Sequence, residues 1–288
     1  MPQPALLASC WTHAGDAAPQ RGDEASPFEL RERVEEIARA GWQGIGLVHA
    51  DLRRAADGDG LAELASLIRV NGLEHVEIEF LGDWWTTGET RARSDAVRRD
   101  LLDAAGALGA ATLKVSGDMS GVEMDRSRLI DSFGELSEQA RAVGTRIALE
   151  PMPFSYFATI EEGAAFVSEV GHPAGGLIVD IWHVHRAGSS LGAVEAAIDP
   201  VHLFAVELND ASDPAPEDLW TDTVDHRRLP GEGDWDVPEF IRSMRRLGFD
   251  GPWGVEVLSD EQRAKSLHDA VTSAFEATIR VFESTDAR

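Results

Sequence analysis

The stretch from Thr145 to His185, TRIALEPMPFSYFATIEEGAAFVSEVGHPAGGLIVDIWHVH, constrains the fold most. Arg146–Glu150 and Leu177–Asp180 are short apolar runs of β-compatible residues bounded by Gly or Pro, and each ends on a carboxylate. Between them Thr159–Val170 repeats apolar residues at helical spacing behind a threonine suited to an N-cap. The unit therefore reads strand, helix, strand. A parallel strand buried on both faces hides its middle and exposes its carboxyl end, so Glu150 and Asp180 are expected side by side at one rim of a sheet. Two neighbouring acids at such a rim invite a cation.

The same alternation runs through the rest of the chain. Strands are expected at Ala5–Trp11, Gly44–His49, Val76–Leu81 and Thr112–Ser116, with helices at Pro27–Arg39, Gly60–Val70, Ala92–Leu108 and Ser127–Ala142. After Asp180 come a short helix around Ala193–Ile198, a strand at Leu203–Asn209, and a polar loop from Asp210 to Trp235 that is too long for a mere connection. A helix at Pro238–Leu247, a strand at Trp253–Leu258 and a helix at Ala264–Phe282 complete the count. Eight strands alternating with eight helices predict a (β/α)8 TIM barrel, with a doubly wound open sheet as the alternative. No Gly-rich nucleotide fingerprint follows the first strand, which favours the barrel. With no Pro/Ser linker or low-complexity tract, residues 1–288 read as one domain.

Charge and cysteine content narrow the function classes. The chain holds 51 acids against 26 bases, a formal charge of −25, which repels nucleic acid and anionic membrane surfaces. Cys10 is the only cysteine, so neither an intrachain disulfide nor a Cys-based zinc site is expected. That usage fits a cytoplasmic location, as does an amino terminus without the basic residues of an export signal.

Four consecutive predicted strands carry an acid near the carboxyl end: Glu150, Asp180, Glu207 and Glu256. In a closed barrel these converge on one mouth, where unpartnered acids would raise one another's pKa unless a cation held them. All-oxygen ligation selects magnesium, manganese or calcium over zinc. Pairing with Arg or Lys at the rim is the alternative for any single acid.

The motifs ALEPM, LIVDIWH, VELND, RRLPGEGDWD and GPWGVEV, preceded by AGWQGIGLVHADL at 40–52 and VEIEFLGDWW at 76–85, resemble the sugar phosphate isomerase/epimerase family with its xylose isomerase-like barrel. That family includes ketose 3-epimerases, inosose isomerases and dehydratases, and dehydroshikimate dehydratases. The resemblance implies an enzyme that enolises a keto-sugar or keto-cyclitol on one divalent ion, Mn2+ or Mg2+. It implies Glu150, Asp180 and Glu256 as ligands, with Glu150 and Glu256 also transferring protons. Glu207 stands where many members have a histidine ligand. His183 matches a position that usually touches substrate, and Arg227 or Arg228 matches an arginine that reaches a substrate hydroxyl or phosphate.

Lys114, inside the fourth strand, either meets a substrate oxygen or offsets the acids. His49, Glu79, Trp84 and Trp85 lie at the ends of the second and third strands. His49 and Trp84 are carried as substrate contacts, with core or lid packing the alternative for each tryptophan. The expected partner is a small carbohydrate or cyclitol, and a homo-oligomer follows only from the resemblance. A lyase acting on an oxidised sugar, inosose or 3-oxo-glycoside is the second enzymatic reading, and a non-catalytic sugar-binding subunit the third. An apurinic-site endonuclease of the same barrel would need a histidine-rich zinc cluster and a basic face, which nine scattered histidines and a charge of −25 do not supply.

Overall fold

A computed structural model describes residues 3–121 and 124–287. Eight parallel strands, β1 Leu6–Ala8, β2 Gly44–Val48, β3 His75–Leu81, β4 Thr112–Ser116, β5 Arg146–Glu150, β6 Gly175–Asp180, β7 Leu203–Leu208 and β8 Trp253–Val255, close into a barrel in chain order. β8 returns to pair with β1 through Leu6 opposite Trp253. The open-sheet alternative is thereby excluded. Among the described residues no helix is long and apolar enough to cross a membrane.

Period-two alternation sorts each strand into an outward and an inward face. On β4, Leu113 and Val115 point into the layer between sheet and helices, whereas Lys114 between them points into the barrel. The lower interior is closed by a small apolar plug of Ala148, Ile178 and Ala205. The interior around Lys114 is charged, and Glu77, opposite Thr112 and two positions nearer the base, carries that charge below the mouth.

Register places the acids. Asp180 lies opposite Glu207, and Glu207 opposite Gly254. A Cβ at Gly254 would come within 2.8 Å of Glu207 Cγ, so the missing side chain makes room for the acid. On the outside, Thr159 and Glu162 form a reciprocal capping box at the start of the helix Ile160–Val170, a contribution of about 1 kcal/mol.

Several boundaries differ from the sequence reading. β1 stops at Ala8 and the chain enters a 3₁₀ turn at Cys10–His13, because Thr12 Oγ1 donates to Val255 O (2.7 Å) and accepts from Val257 N–H (2.9 Å). Helices at His49–Asp57, Ile181–Arg186 and Leu219–Asp225 were not expected. The second is capped by the site acid itself, since Asp180 Oδ1 accepts the Trp182 N–H at 2.7 Å. The polar stretch after β7 is an ordered flap: it carries the helix Leu219–Asp225 and doubles back so that Asp210 and Arg228 exchange backbone hydrogen bonds. Arg186 pins it from below through Asp222 (2.8 Å) and Asp213 (3.0 Å).

Candidate metal centre and active site

Glu150, Asp180, Glu207 and Glu256 emerge on β5, β6, β7 and just beyond β8, all buried, with one oxygen of each within 4.8 Å of the others. Opposite oxygens on a hard divalent ion stand about 4.0–4.2 Å apart on magnesium and about 4.6–5.2 Å apart on calcium, so these four carboxylates suit a shared ion. Glu150, Asp180 and His183 form a second, overlapping group of the same kind.

The acids are not unpartnered, which corrects the expectation drawn from their spacing. Lys114 Nζ, fully buried, stands 2.9 Å from Glu207, 2.9 Å from Glu256, 3.2 Å from Glu79 and 3.9 Å from Glu77. Arg227 Nη1 donates to Asp180 Oδ2 at 2.6 Å and to Glu256 Oε2 at 2.9 Å, while Thr223 accepts from its remaining nitrogens. Glu256 thus has both oxygens engaged by cations. Asp180 also has both filled, because Asn209 Nδ2 donates to Oδ1 at 2.9 Å.

Charge counting shows why a cation still fits. Six buried carboxylates, Glu77, Glu79, Glu150, Asp180, Glu207 and Glu256, surround two cations, Lys114 and Arg227. That excess of acid cannot all be ionised in a low-dielectric interior. Glu207 accepts from Ser9 Oγ at 2.5 Å and from Lys114 with Oε1, yet its Oε2 is buried with no hydrogen-bond partner. A free carboxylate oxygen among converging acids is what a divalent ion would satisfy.

Environment splits the acids into two kinds. Burial opposes the charge of Glu150, but Lys114, His183 and Arg227 outweigh it and hold the carboxyl down to about 2. Burial dominates at Glu79, with Glu256, Glu77 and Glu150 adding to it against Lys114, and pushes that carboxyl up to about 8. Burial and Glu256 likewise push Glu207 well above the usual carboxylate range. Burial alone would lower the Lys114 ammonium; the carboxylates of Glu207, Glu256, Glu79 and Glu150 reverse this and raise it.

A cavity of ≈ 140 Å³ opens above the acids. Glu79, Glu150, His183, Arg227 and Glu256 face it, and Trp11, Phe80, Met119, Met152, Phe154 and Trp220 form its apolar walls. Phe154 packs edge-on against Trp220 (5.6 Å) and contacts Trp182 and His183 (6.3 and 6.2 Å), so flap and barrel join in one aromatic wall. His183 Nε2 lies 3.3 Å from Glu150 Oε1, and its Nδ1 has no partner.

Other expected contacts lie elsewhere. His49 bonds Asp100 on the neighbouring helix at 3.0 Å and does not line the cavity. Trp84 is packed in the outer core against Trp85 and Phe133, its Nε1 donating to Ser116 O at 2.8 Å. Arg228 is exposed and turned toward Glu232 O, so of the two arginines only Arg227 reaches the site. Lys114 joins the acids beneath the cavity without lining it. Ser9, Thr223 and Asn209 brace the acids from positions that no local pattern marks. Glu79 did carry a signal: Glu77 and Glu79, two apart on a strand, share its inner face.

Comparison with known proteins places the chain. The family model described as xylose isomerase-like TIM barrel matches residues 34–277. An inosose isomerase of Halalkalibacterium halodurans is 29% identical over 161 residues, 55% of each chain. A 3-dehydroshikimate dehydratase of Pseudomonas putida is 24% identical over 263 residues, 90% of this chain and 41% of that one. The chain spans about half the length of the curated relatives it matches. A solved structure described as the IOLI protein with a binding zinc atom superposes with a TM-score of 0.80 at 20% identity, covering 98% of this chain and 99% of that one.

Proposed function

We propose, on the premise that this chain belongs to the xylose isomerase-like TIM barrel family, that it is a divalent-metal-dependent isomerase or epimerase of a keto-sugar or keto-cyclitol. The observation that carries this is the convergence of Glu150, Asp180, Glu207 and Glu256 beneath a small cavity. Those four residues would hold the ion, and their oxygen donors favour manganese or magnesium. When bound, such an ion polarises a carbonyl and acidifies the neighbouring C–H.

The chain's own residues supply the rest. Glu150, held ionised, is the base that removes the proton beside the carbonyl, giving an enediolate. His183 steadies Glu150 and keeps Nδ1 toward substrate. Arg227 anchors Asp180 and Glu256 and lies against the developing negative charge. The aromatic wall and the flap helix exclude water from the intermediate. Among the described residues lining the cavity, Arg227 is the one Lys or Arg, and it is spent on two acids. The pocket therefore suits an unphosphorylated substrate. The single buried Cys10 fits a reducing cytoplasm.

Elimination from the same enediolate is the second reading. It is favoured by the alignment with a dehydratase over nine-tenths of the chain. Solvent deuterium exchange followed by NMR, across keto-sugars, inososes and 3-dehydroshikimate, separates the outcomes. Exchange with retention of the carbon skeleton and its hydroxyls supports isomerisation or epimerisation, and loss of water supports the lyase. Ligand binding without exchange would leave only a sugar-binding subunit.

A further inference from the structure

Two acids that line the cavity, Glu24 and Glu79, have no task in the reaction outlined above; Glu24 accepts the Gln20 N–H at 2.6 Å, and the one buried among the site acids is Glu79. It sits on β3, a quarter turn of the barrel from Glu150 on β5, so the two approach a bound molecule from different walls. Its Oε2 is fixed 3.2 Å from Lys114 Nζ, and its Oε1 is buried with no hydrogen-bond partner. The other candidate for a second proton-transfer group, Glu256, has one oxygen on Lys114 and one on Arg227 and is assigned to the ion, which leaves Glu79 the acid without a ligand's role. Lys114 on one oxygen and the Cys10 thiol beside the carboxyl give Glu79 a fixed orientation at the cavity wall.

We propose that Glu79 is a catalytic acid that delivers the proton in the half-reaction following removal by Glu150. This rests on the enolisation reading and deepens it. The Glu150 carboxylate takes the proton beside the carbonyl; the C–H pair becomes the C=C of the enediolate and the carbonyl pair moves onto oxygen. The oxyanion pair then re-forms the carbonyl at the same carbon, or, once the neighbouring hydroxyl has passed its proton to that oxyanion, the neighbouring oxygen pair forms it there, while the C=C pair takes the proton from Glu79. The O–H pair of Glu79 stays behind as carboxylate. Glu150 ends protonated and Glu79 ionised, and exchange with water restores both. Burial raises the proton affinity of Glu79, which suits it to donate. Cys10, Glu77, Glu150, Glu256 and Lys114 are the groups that set the state of Glu79.

The test uses the manganese-loaded full chain in D2O with D-fructose, D-allulose, an inosose and 3-dehydroshikimate as probes. In Glu79→Gln, which keeps an acceptor for Lys114, deuterium exchange stays within about threefold of wild type. Turnover falls roughly 10²–10⁴-fold, the usual weight of a general acid. In the metal-free, substrate-free protein, the infrared absorption of protonated carboxyls weakens in the variant, the share of Glu207 remaining. Turnover within threefold of wild type overturns the proposal. Exchange and turnover falling together also overturn it, because that is the signature of a residue that only balances Lys114. Should Glu79→Gln not fold, Glu79→Asp decides, by a turnover loss of about tenfold or more with exchange retained or by its absence. No exchange by the wild type with any probe defeats the enolisation reading, and this one with it; exchange with an unaffected variant defeats this one alone.

Discussion

Replacing Lys114 by methionine removes the cation at the centre of the acid cluster while keeping a side chain of similar length. At an effective dielectric constant near 20, an ionised partner at 2.9 Å contributes about 6 kcal/mol of Coulomb attraction, largely offset by the desolvation of the ammonium. Breaking a buried pair from one side costs about 3–5 kcal/mol net. For a chain of 288 residues the unfolding entropy is about 0.6 kcal/mol per kelvin, so Tm should fall by about 5–8 °C in chelator at pH 7. The raised Lys114 pKa sets the pH window: its stability is fully present below the unfolded lysine value near 10.4 and is lost only above that, so pH 7 reports all of it. Added Mn2+ should then recover more stability in the variant than in the wild type, because the ion meets one more uncompensated negative charge. Differential scanning fluorimetry with and without Mn2+ measures both effects. A Tm unchanged within 1 °C in chelator, or an equal Mn2+ effect in both proteins, would refute the view that Lys114 and the ion neutralise the same acids.

Glu150→Gln should abolish solvent deuterium exchange, by roughly 10³-fold or more, while leaving the metal-free Tm within a few degrees; NMR in D2O with the active probe reads it. The raised Glu79 carboxyl makes the folded state hold a proton that the unfolded chain releases, so stability declines from about pH 4.5 to about pH 8. Glu79→Gln should lessen that decline, Glu207 keeping its own share, in urea titrations run in chelator at successive pH values; an unaltered slope would show that Glu79 is ionised throughout. The depressed Glu150 carboxyl works in the other sense, its contribution being lost as pH falls from about 4.5 through about 2. Glu207→His, placing a nitrogen donor in the space that Gly254 leaves, should raise affinity for zinc relative to manganese by about tenfold or more in calorimetric titrations, and no change would mean that Glu207 is not a ligand.

The acid-ended strands illustrate what one-dimensional information carries. β5 and β6 announce themselves because a strand buried on both faces must be an apolar run, and a charge can follow only where the run ends. That rule placed Glu150, Asp180, Glu207 and Glu256 at strand termini, and strict alternation with helices made the barrel the economical closure. Helices of six or seven residues, such as Ile181–Arg186 and Leu219–Asp225, escaped because so short a segment shows no full period and is held by a cap and by packing. Lys114 was visible as a charge inside a strand, but its partners come from β3, β7 and β8, up to 142 positions away. Likewise nothing local separates Arg227 from Arg228; the backbone exchange between Asp210 and Arg228 turns one guanidinium inward and the other out. The sequence by itself determined which residues are acidic, which runs are strands and where β5 and β6 end on their acids. Which acids are satisfied, which oxygen is left free and which carboxyl keeps its proton were decided only by closure of the barrel, because those properties are sums over charges and burial contributed by distant segments.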